Sequence, residues 1–189
     1  ENFSIQNMDA LSDELPPFSY EENEKTVLVS NLPYNVSTQI YFRMIDEALP
    51  LLGMVLMFQR EVGLRFTAKP STKSYGILSV LGQYFHDIEE IAEVAPEAFK
   101  PQPKVHSLVL AFRPRKRELA VEDEKAFRAL VRTAFSQRRK TLANVMQGAL
   151  GKDKLAWQEL LQNMGFLPSV RAEELSLQDF LKLFEKSRS

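Results

Sequence analysis

Two different spacings of apolar residues follow one another along this chain. Up to about residue 112, short apolar runs alternate with segments of helical spacing. This pattern predicts strands at 3–8, 26–30, 54–58, 86–94 and 107–112, and helices at 38–51, from about 59, and at 75–84. Ser37 is the predicted N-cap of the first helix, and Gly53 its predicted end. Strands that alternate with helices, followed by two strands close together, indicate an α/β layered sheet with an antiparallel edge pair.

The second part of the chain has only the helical spacing. Segments 122–135, 139–150, 154–164 and 177–187 share this period, with no strand candidate between them. The change follows a basic stretch at 113–117, so we predict a domain boundary near residues 115–119. The expected organisation is an α/β domain over residues 1–116 and a small all-helical domain over residues 117–189.

Composition narrows the class of protein. The chain has 189 residues, 44% of them hydrophobic, and a mean hydropathy of −0.23, which is typical of a globular protein with a sizeable core. No apolar run approaches the roughly 20 residues of a membrane span, and no signal-peptide pattern is present, so we expect a cytoplasmic protein. The absence of cysteine excludes disulfides and thiol catalysis, and two distant histidines, His86 and His106, do not suggest a metal site.

Charge is distributed unevenly, although the formal net charge is only −1. Residues 1–60 contain nine acidic and three basic residues, whereas residues 101–150 contain eleven basic and four acidic ones. Such polarity favours a polyanionic partner. A solvated helical face is the alternative that charge alone leaves open.

The stretch NLPYNVST, residues 31–38, follows the predicted strand at 26–30. The carboxyl edge of a sheet is where open α/β folds bind ligands, so these side chains are candidates for a site. Asn31 offers an amide oxygen, Pro33 fixes the nearby backbone carbonyls, and Tyr34 presents a ring face for a planar base. Two acceptors and a stacking face suit the exocyclic amine of a purine. A turn capped by Asn31 with Tyr34 in the core is equally consistent with these residues alone.

The wider sequence resembles the KsgA-type small-subunit ribosomal RNA adenine dimethyltransferases over nearly its entire length. The resemblance rests on NLPYNVST, FQREVGLRF at 58–66, SYGILSV at 74–80, FKPQPKVHS at 99–107 and FSQRRKTLANV at 135–145. Two departures are visible, because Ile77 replaces a usual basic residue and His106 a usual aspartate. The resemblance implies a partial class I (Rossmann-like) S-adenosyl-L-methionine-dependent methyltransferase sheet followed by a small all-helical domain.

The resemblance also assigns roles around the target adenine. Asn31 and the backbone of Leu32 and Pro33 would hold the N6 amine, while Tyr34 stacks on the ring. Phe99 would close on the other face of the adenine, although an anchor for the proline-rich loop at 96–103 is the alternative for this residue. The implied activity is N6,N6-dimethylation of two adjacent adenosines in a 3′-terminal hairpin of small-subunit ribosomal RNA, with a role in ribosome assembly.

Further roles concern the methyl donor and the RNA. Asn31 would lie against S-adenosyl-L-methionine, and Asp9 would contact the amino group of its adenine. The expected partner is small-subunit ribosomal RNA or the immature small ribosomal subunit. Its phosphates are expected to bind two sets of basic residues, one near the predicted boundary and one around the start of the helix predicted at 139–150: Arg113, Arg115, Lys116, Arg117, Arg138, Arg139 and Lys140.

The family's first strands, glycine-rich loop and acidic ribose-binding residue have no counterpart in this chain, whose seven glycines form no G-x-G cluster. We therefore expect a fragment with an incomplete donor site, inactive alone, in which residues 1–25 are the least native-like part because the strand at 3–8 lacks its neighbours. The alternatives are a non-catalytic RNA-binding or ribosome-assembly module, and a DNA adenine methyltransferase using the same NLPY corner.

Overall fold

The structure is a computed structural model, which describes residues 5–13, 26–47, 49–116, 118–119 and 121–188. The strands are β1 (Thr26–Asn31), β2 (Leu51–Gln59), β3 (His86–Val94) and β4 (Ser107–Pro114). The helices are α1 (Ser37–Asp46), α2 (Arg60–Thr67), α3 (Ile77–Phe85), α4 (Val121–Ala134), α5 (Leu142–Met146), α6 (Lys154–Asn163) and α7 (Leu177–Arg188). Short 3₁₀ turns lie at Pro96–Ala98, Ala149–Gly151 and Ala172–Glu174.

The strands form one sheet in the order β1-β2-β4-β3. β1 runs parallel to β2, with Asn31 opposite Met57. β4 runs antiparallel to β2, with Ser107 opposite Gln59. The predicted α/β sheet is confirmed, and the antiparallel pair within it is β2 with β4. The two strands predicted as the edge pair are neighbours at one edge of the sheet, in the order β4-β3, and their antiparallel direction stays a prediction.

Strand β2 carries the core of the sheet because it has a partner on each side. Its residues Met54, Leu56 and Phe58 are buried and alternate with half-buried ones. Their partners on β4, Phe112 among them, are buried on the same face. Helix α1 covers this face, where the ring of Tyr41 lies 5.3 Å from that of Phe112.

The predicted bounds of the first helix were wrong at both ends. Ser37 is the first helical residue, and its hydroxyl donates to the Tyr34 carbonyl at 3.3 Å instead of capping the helix. The helix ends at Asp46, not near 51, because Pro50 cannot continue it and the following apolar run pairs as β2. Gly53 lies inside β2, where an added Cβ would stand 3.0 Å from the Phe112 carbonyl oxygen, so a close backbone approach explains this glycine.

The N-terminal part departs from the predicted strand at 3–8. Residues 5–8 form no strand, and residues 1–4 and 14–25 lie outside the described residues. Asp9 begins a turn in which the Asp13 amide donates to the Asp9 carbonyl at 3.0 Å. Arg43 on α1 holds this turn by donating to the carbonyls of Ala10 at 2.8 Å and Asp13 at 2.5 Å.

By compactness the chain divides into two units, Glu1–Arg60 with Glu90–Pro114, and Glu61–Glu89 with Arg115–Ser189. The second unit therefore includes α2 and α3 as well as the C-terminal helices, whereas the predicted boundary lies at 116/117. Its core is aromatic, with the rings of Phe127 and Phe184 5.6 Å apart. Whether residues 117–189 form a domain of their own stays a prediction.

The helix predicted at 139–150 is mostly not helical. Residues 135–140 form turns, and α5 covers only Leu142–Met146. Gly148, with φ +84°, breaks the helical conformation before the 3₁₀ turn at Ala149–Gly151. The amide of Leu142 donates to the distant Val170 carbonyl at 2.8 Å, a bond that the local sequence period could not indicate.

In the described part of the chain, no helix combines the length and apolar character that crossing a bilayer requires.

Candidate functional site

The NLPY corner lies where the parallel strand β1 ends. Asn31 is the last residue of β1 and is exposed, whereas Leu32 is buried and anchors the turn. The Val36 amide donates to the Pro33 carbonyl at 3.1 Å, which leads the chain directly into α1. The sheet therefore presents Asn31 and Pro33 at its carboxyl edge, on the side expected for ligand binding.

Tyr34 is half-buried at this corner and is tied to the sheet through its hydroxyl. The hydroxyl shares a 2.6 Å hydrogen bond with the Ser107 hydroxyl. Ser107 is the first residue of β4 and is 0% exposed, so it is a fixed point. The ring of Tyr34 therefore sits at the margin of the core and is held at its outer end.

A cavity of about 280 Å³ opens between this corner and the proline-rich loop. The described residues that line it are Asn31, Leu32, Pro33, Tyr34, Phe99, Pro101 and Pro103. Phe99 follows the 3₁₀ turn Pro96–Ala98, and its amide donates to the Pro96 carbonyl at 3.1 Å. All five residues predicted for the target base thus lie around one space. The sequence interpretation did not assign Pro101 and Pro103, although the proline-rich run was the signal for them.

Asp9 does not belong to the described lining of this cavity. Its carboxylate accepts a hydrogen bond from the Leu11 amide at 2.8 Å within its own exposed turn. This bond, with the Ser12 hydroxyl adding to it, lowers the pKa of Asp9. Its predicted contact with the methyl donor stays a prediction.

A polar cluster of Arg60, Glu93 and His106 lies next to the start of β4, because His106 immediately precedes Ser107. Glu93 accepts a hydrogen bond from Arg60 at 3.0 Å and pairs with His106 Nδ1 at 2.9 Å. The Arg60 bond lowers the pKa of Glu93, and His106 adds to the effect. The Arg60 amide also donates to the His106 carbonyl at 2.9 Å. His106, the departure from the family's aspartate, therefore pairs with a carboxylate and helps to fix the start of β4.

The basic residues near the predicted boundary differ in their surroundings. Arg113 and Lys116 are exposed, and Arg117 lies outside the described residues. Arg115 donates to the Gln83 carbonyl at 3.0 Å and pairs with Asp87 at 3.3 Å. Arg115 thus already has partners within the chain.

The second basic group, Arg138 to Lys140, lies on the turn at 135–140 and not on a helix. Nη2 of Arg138 donates to the carbonyls of Lys73 at 3.0 Å and Tyr75 at 3.4 Å and pairs with Glu173 at 3.3 Å. Arg139 and Lys140 are exposed, and their side chains make no hydrogen bond or ion pair with the described residues, although the Lys140 amide donates to the Gln137 carbonyl at 3.0 Å. Arg138 is therefore suited to stabilising the fold, whereas Arg139 is suited to contacting a partner outside the chain.

The family model for ribosomal RNA adenine dimethylases matches residues 1–188. The chain belongs to this family. It is similar to the ribosomal RNA small subunit methyltransferase A of Syntrophotalea carbinolica, with 50% identity over 161 residues, which cover 82% of this chain and 59% of that protein. The protein of the same name from Bacillus cytotoxicus is 40% identical over 190 residues, covering 97% of this chain and 65% of that one. The chain thus spans less than two thirds of the length of these relatives.

The fold agrees with this membership. A dimethyladenosine transferase from Plasmodium falciparum has a similar crystal structure, with a TM-score of 0.77 and 26% identity over 97% of this chain and 72% of that chain. The predicted Rossmann-like methyltransferase architecture is confirmed.

For S-adenosyl-L-methionine, the donor that the resemblance implied, the described residues provide an incomplete fit. The described lining contains no glycine-rich loop to hold a methionine end and does not include Asp9. The described lining offers two aromatic side chains and the Asn31 amide, which are groups that suit a planar base.

Proposed function

We propose that the chain is the base-holding and RNA-binding part of an S-adenosyl-L-methionine-dependent ribosomal RNA adenine N6,N6-dimethyltransferase. Its substrate would be two adjacent adenosines in a 3′-terminal hairpin of small-subunit (16S-type) RNA, met in the immature ribosomal subunit during assembly. The observation that carries the proposal is the cavity, which brings Asn31, Tyr34 and Phe99 together. The names of the relatives support the same class of reaction.

The amine of the target adenine would be held by oxygen acceptors at the NLPY corner. The acceptors would be the Asn31 side-chain oxygen and the backbone carbonyls of Leu32 and Pro33. The Pro33 carbonyl already accepts the Val36 amide at 3.1 Å and has a second lone pair available. Because the N6 lone pair is delocalised into the ring, gripping both hydrogens favours a pyramidal nitrogen whose lone pair points at the incoming methyl group. This is positioning and electrostatic preorganisation, which needs no low-pKa base.

The ring of the target base would lie between two aromatic side chains. Tyr34 and Phe99 line the same cavity from the corner and from the proline-rich loop. Stacking on an aromatic side chain contributes about 1–3 kcal/mol per base. The methyl donor would supply the methyl group, and Asn31 and Asp9 are the residues of this chain that we propose would contact it.

Substitution of the corner residues in the full-length protein tests the proposal. Asn31→Ala should lower kcat about 10²–10³-fold because one acceptor of the transition state is lost. Tyr34→Ala should lower turnover about tenfold to a hundredfold. Donor affinity, measured by calorimetry, should be largely unchanged in Tyr34→Ala. A collapse of donor binding in that variant would make Tyr34 a core residue and refute its stacking role.

A second candidate is a non-catalytic RNA-binding or ribosome-assembly module. It is favoured by the exposed cations Arg139 and Lys140 together with the incomplete fit for the donor. We expect the 189-residue chain alone to bind RNA without measurable methyl transfer. Calorimetry with S-adenosyl-L-methionine on this chain, beside the full-length protein, separates the two candidates, since micromolar donor binding by the chain alone would contradict the expectation.

A further inference from the structure

We propose that Ser107 is a positioning residue for Tyr34, and that the hydrogen bond between their hydroxyls fixes the ring on which the target base stacks. The inference rests on the proposed function, because it concerns how the same cavity is prepared for a base. Its observation is the 2.6 Å distance between the Tyr34 and Ser107 hydroxyl oxygens, which join residues 73 positions apart.

Ser107 is held from several directions and can serve as an anchor. It lies opposite Gln59 in the β2–β4 ladder and is 0% exposed. The residue before it, His106, accepts the Arg60 amide at 2.9 Å and pairs with Glu93. The Ser107 hydroxyl therefore has little freedom to follow a moving partner.

Tyr34, in contrast, lies on a turn outside the sheet. Its carbonyl accepts the Ser37 hydroxyl at 3.3 Å, which fixes the backbone but not the ring. The phenol oxygen is the atom farthest from that backbone, so a bond at this point restrains both side-chain torsions. In the described structure, the bond to Ser107 is the polar contact that the ring makes.

The bond affects catalysis because it fixes the Tyr34 ring before the base arrives. Less side-chain conformational entropy is then lost when the base binds. Immobilising one side chain at an interface reduces affinity by a few-fold to about tenfold, and a ring that is already fixed avoids this loss. The Tyr34 hydroxyl takes part in this bond and faces the buried Ser107. It is therefore not placed as an acid or base for the amine of the adenine. The hydroxyl of Tyr34 thus orients the ring, while the ring face contacts the substrate.

A mutant cycle in the full-length protein tests the inference. Tyr34→Phe keeps the ring and loses the bond, and Ser107→Ala loses the same bond from the other side. Each should lower kcat/KM for RNA methylation about two- to tenfold, with donor affinity unchanged. The double variant should be no worse than either single variant, because both remove one interaction.

Stacking itself is measured with an RNA hairpin that carries 2-aminopurine at the target position. Its fluorescence, at saturating protein, should be quenched less by Ser107→Ala and Tyr34→Phe than by the unchanged protein. Ser187→Ala is the matched control, because Ser187 is also buried and its hydroxyl donates to the Phe184 carbonyl at 2.7 Å. This control should alter thermal stability alone.

The outcomes separate the inference from the function on which it rests. Loss of quenching in Tyr34→Ala with full quenching and turnover in Ser107→Ala would overturn the positioning role and leave the stacking role intact. Full quenching in Tyr34→Ala would overturn both. If Ser107→Ala does not fold, Tyr34→Phe removes the same bond without emptying a buried position, and full quenching in that variant would equally overturn the proposal.

Discussion

Arg138 and Arg139 are neighbours of identical charge, yet we expect their removal to have different effects. The Arg138 guanidinium bridges Lys73, Tyr75 and Glu173, whereas Arg139 is exposed without a partner among the described residues. Arg138→Ala loses an ion pair that is partly exposed, worth about 0.2–1 kcal/mol, and bonds to backbone carbonyls, worth about 0.5–1.5 kcal/mol. A total near 1–2 kcal/mol corresponds to a decrease of about 2–8 °C in Tm. Arg139→Ala should change stability by less than about 0.5 kcal/mol.

RNA binding should show the opposite order. Arg139→Ala should reduce the slope of log K against log salt by about one unit, as expected for one lost phosphate contact. Arg138→Ala should leave the slope nearly unchanged. The assay combines thermal unfolding with binding of a small-subunit RNA hairpin at a series of KCl concentrations. Arg138→Lys, which keeps the charge but not the planar fork, should retain the slope and still lose stability. If Arg138→Ala reduced the slope as much as Arg139→Ala at an unchanged Tm, Arg138 would be a phosphate ligand and the assignment would be refuted.

Two further predictions concern the packing of the second unit. Tyr75 is buried and its hydroxyl donates to the Leu175 carbonyl at 2.8 Å. Burial raises the pKa of Tyr75, so its contribution to stability is present below the ordinary tyrosine value of about 10 and is lost as the pH rises above it. Tyr75→Phe should lower the free energy of unfolding by about 1–3 kcal/mol at pH 7, and the further decrease at alkaline pH should be smaller than in the unchanged protein. Urea unfolding at pH 7 and pH 11 measures both effects. An equally steep decrease with pH in the variant would contradict the assignment. Gly82→Ala places a Cβ 2.7 Å from Phe66 Cδ1, so overpacking should outweigh the gain in helix propensity and lower stability by about 0.5–2 kcal/mol, and an unchanged Tm would show that Phe66 can move.

The sequence was sufficient to predict those elements whose structure is determined by residues close together along the chain. Alternation and apolar runs located all four strands of the described sheet, and the NLPY motif located the corner at the end of β1. It failed where a distant partner decides the local structure. Of the helix predicted at 139–150, only Leu142–Met146 is α-helical, and the amide of Leu142 bonds to the distant Val170 carbonyl. The length of β2 depends on pairing with both β1 and β4.

The site shows the same limit. Asn31, Tyr34 and Phe99 were predicted by resemblance and line one cavity. Ser107, however, looked like the ordinary first residue of a strand, since nothing in its neighbourhood along the chain indicates a bond to a tyrosine 73 positions earlier. Likewise, Arg138 and Arg139 look equivalent in the sequence, and only the distant partners of Arg138, which are the Lys73 and Tyr75 carbonyls and Glu173, distinguish them.

The prolines around the cavity have a consequence for which base it can accept. Pro33, Pro101 and Pro103 are three of its seven described lining residues, and proline has no amide hydrogen to donate. The Phe99 amide is already bonded to Pro96, and the Tyr34 hydroxyl is shared with Ser107. Among these groups the lining offers mostly acceptors, and the Asn31 side-chain amide is the group that can also donate. Adenine, which presents an amine at position 6, finds several acceptors there, whereas guanine, which presents a carbonyl oxygen at the same position, would depend on the Asn31 NH2 group.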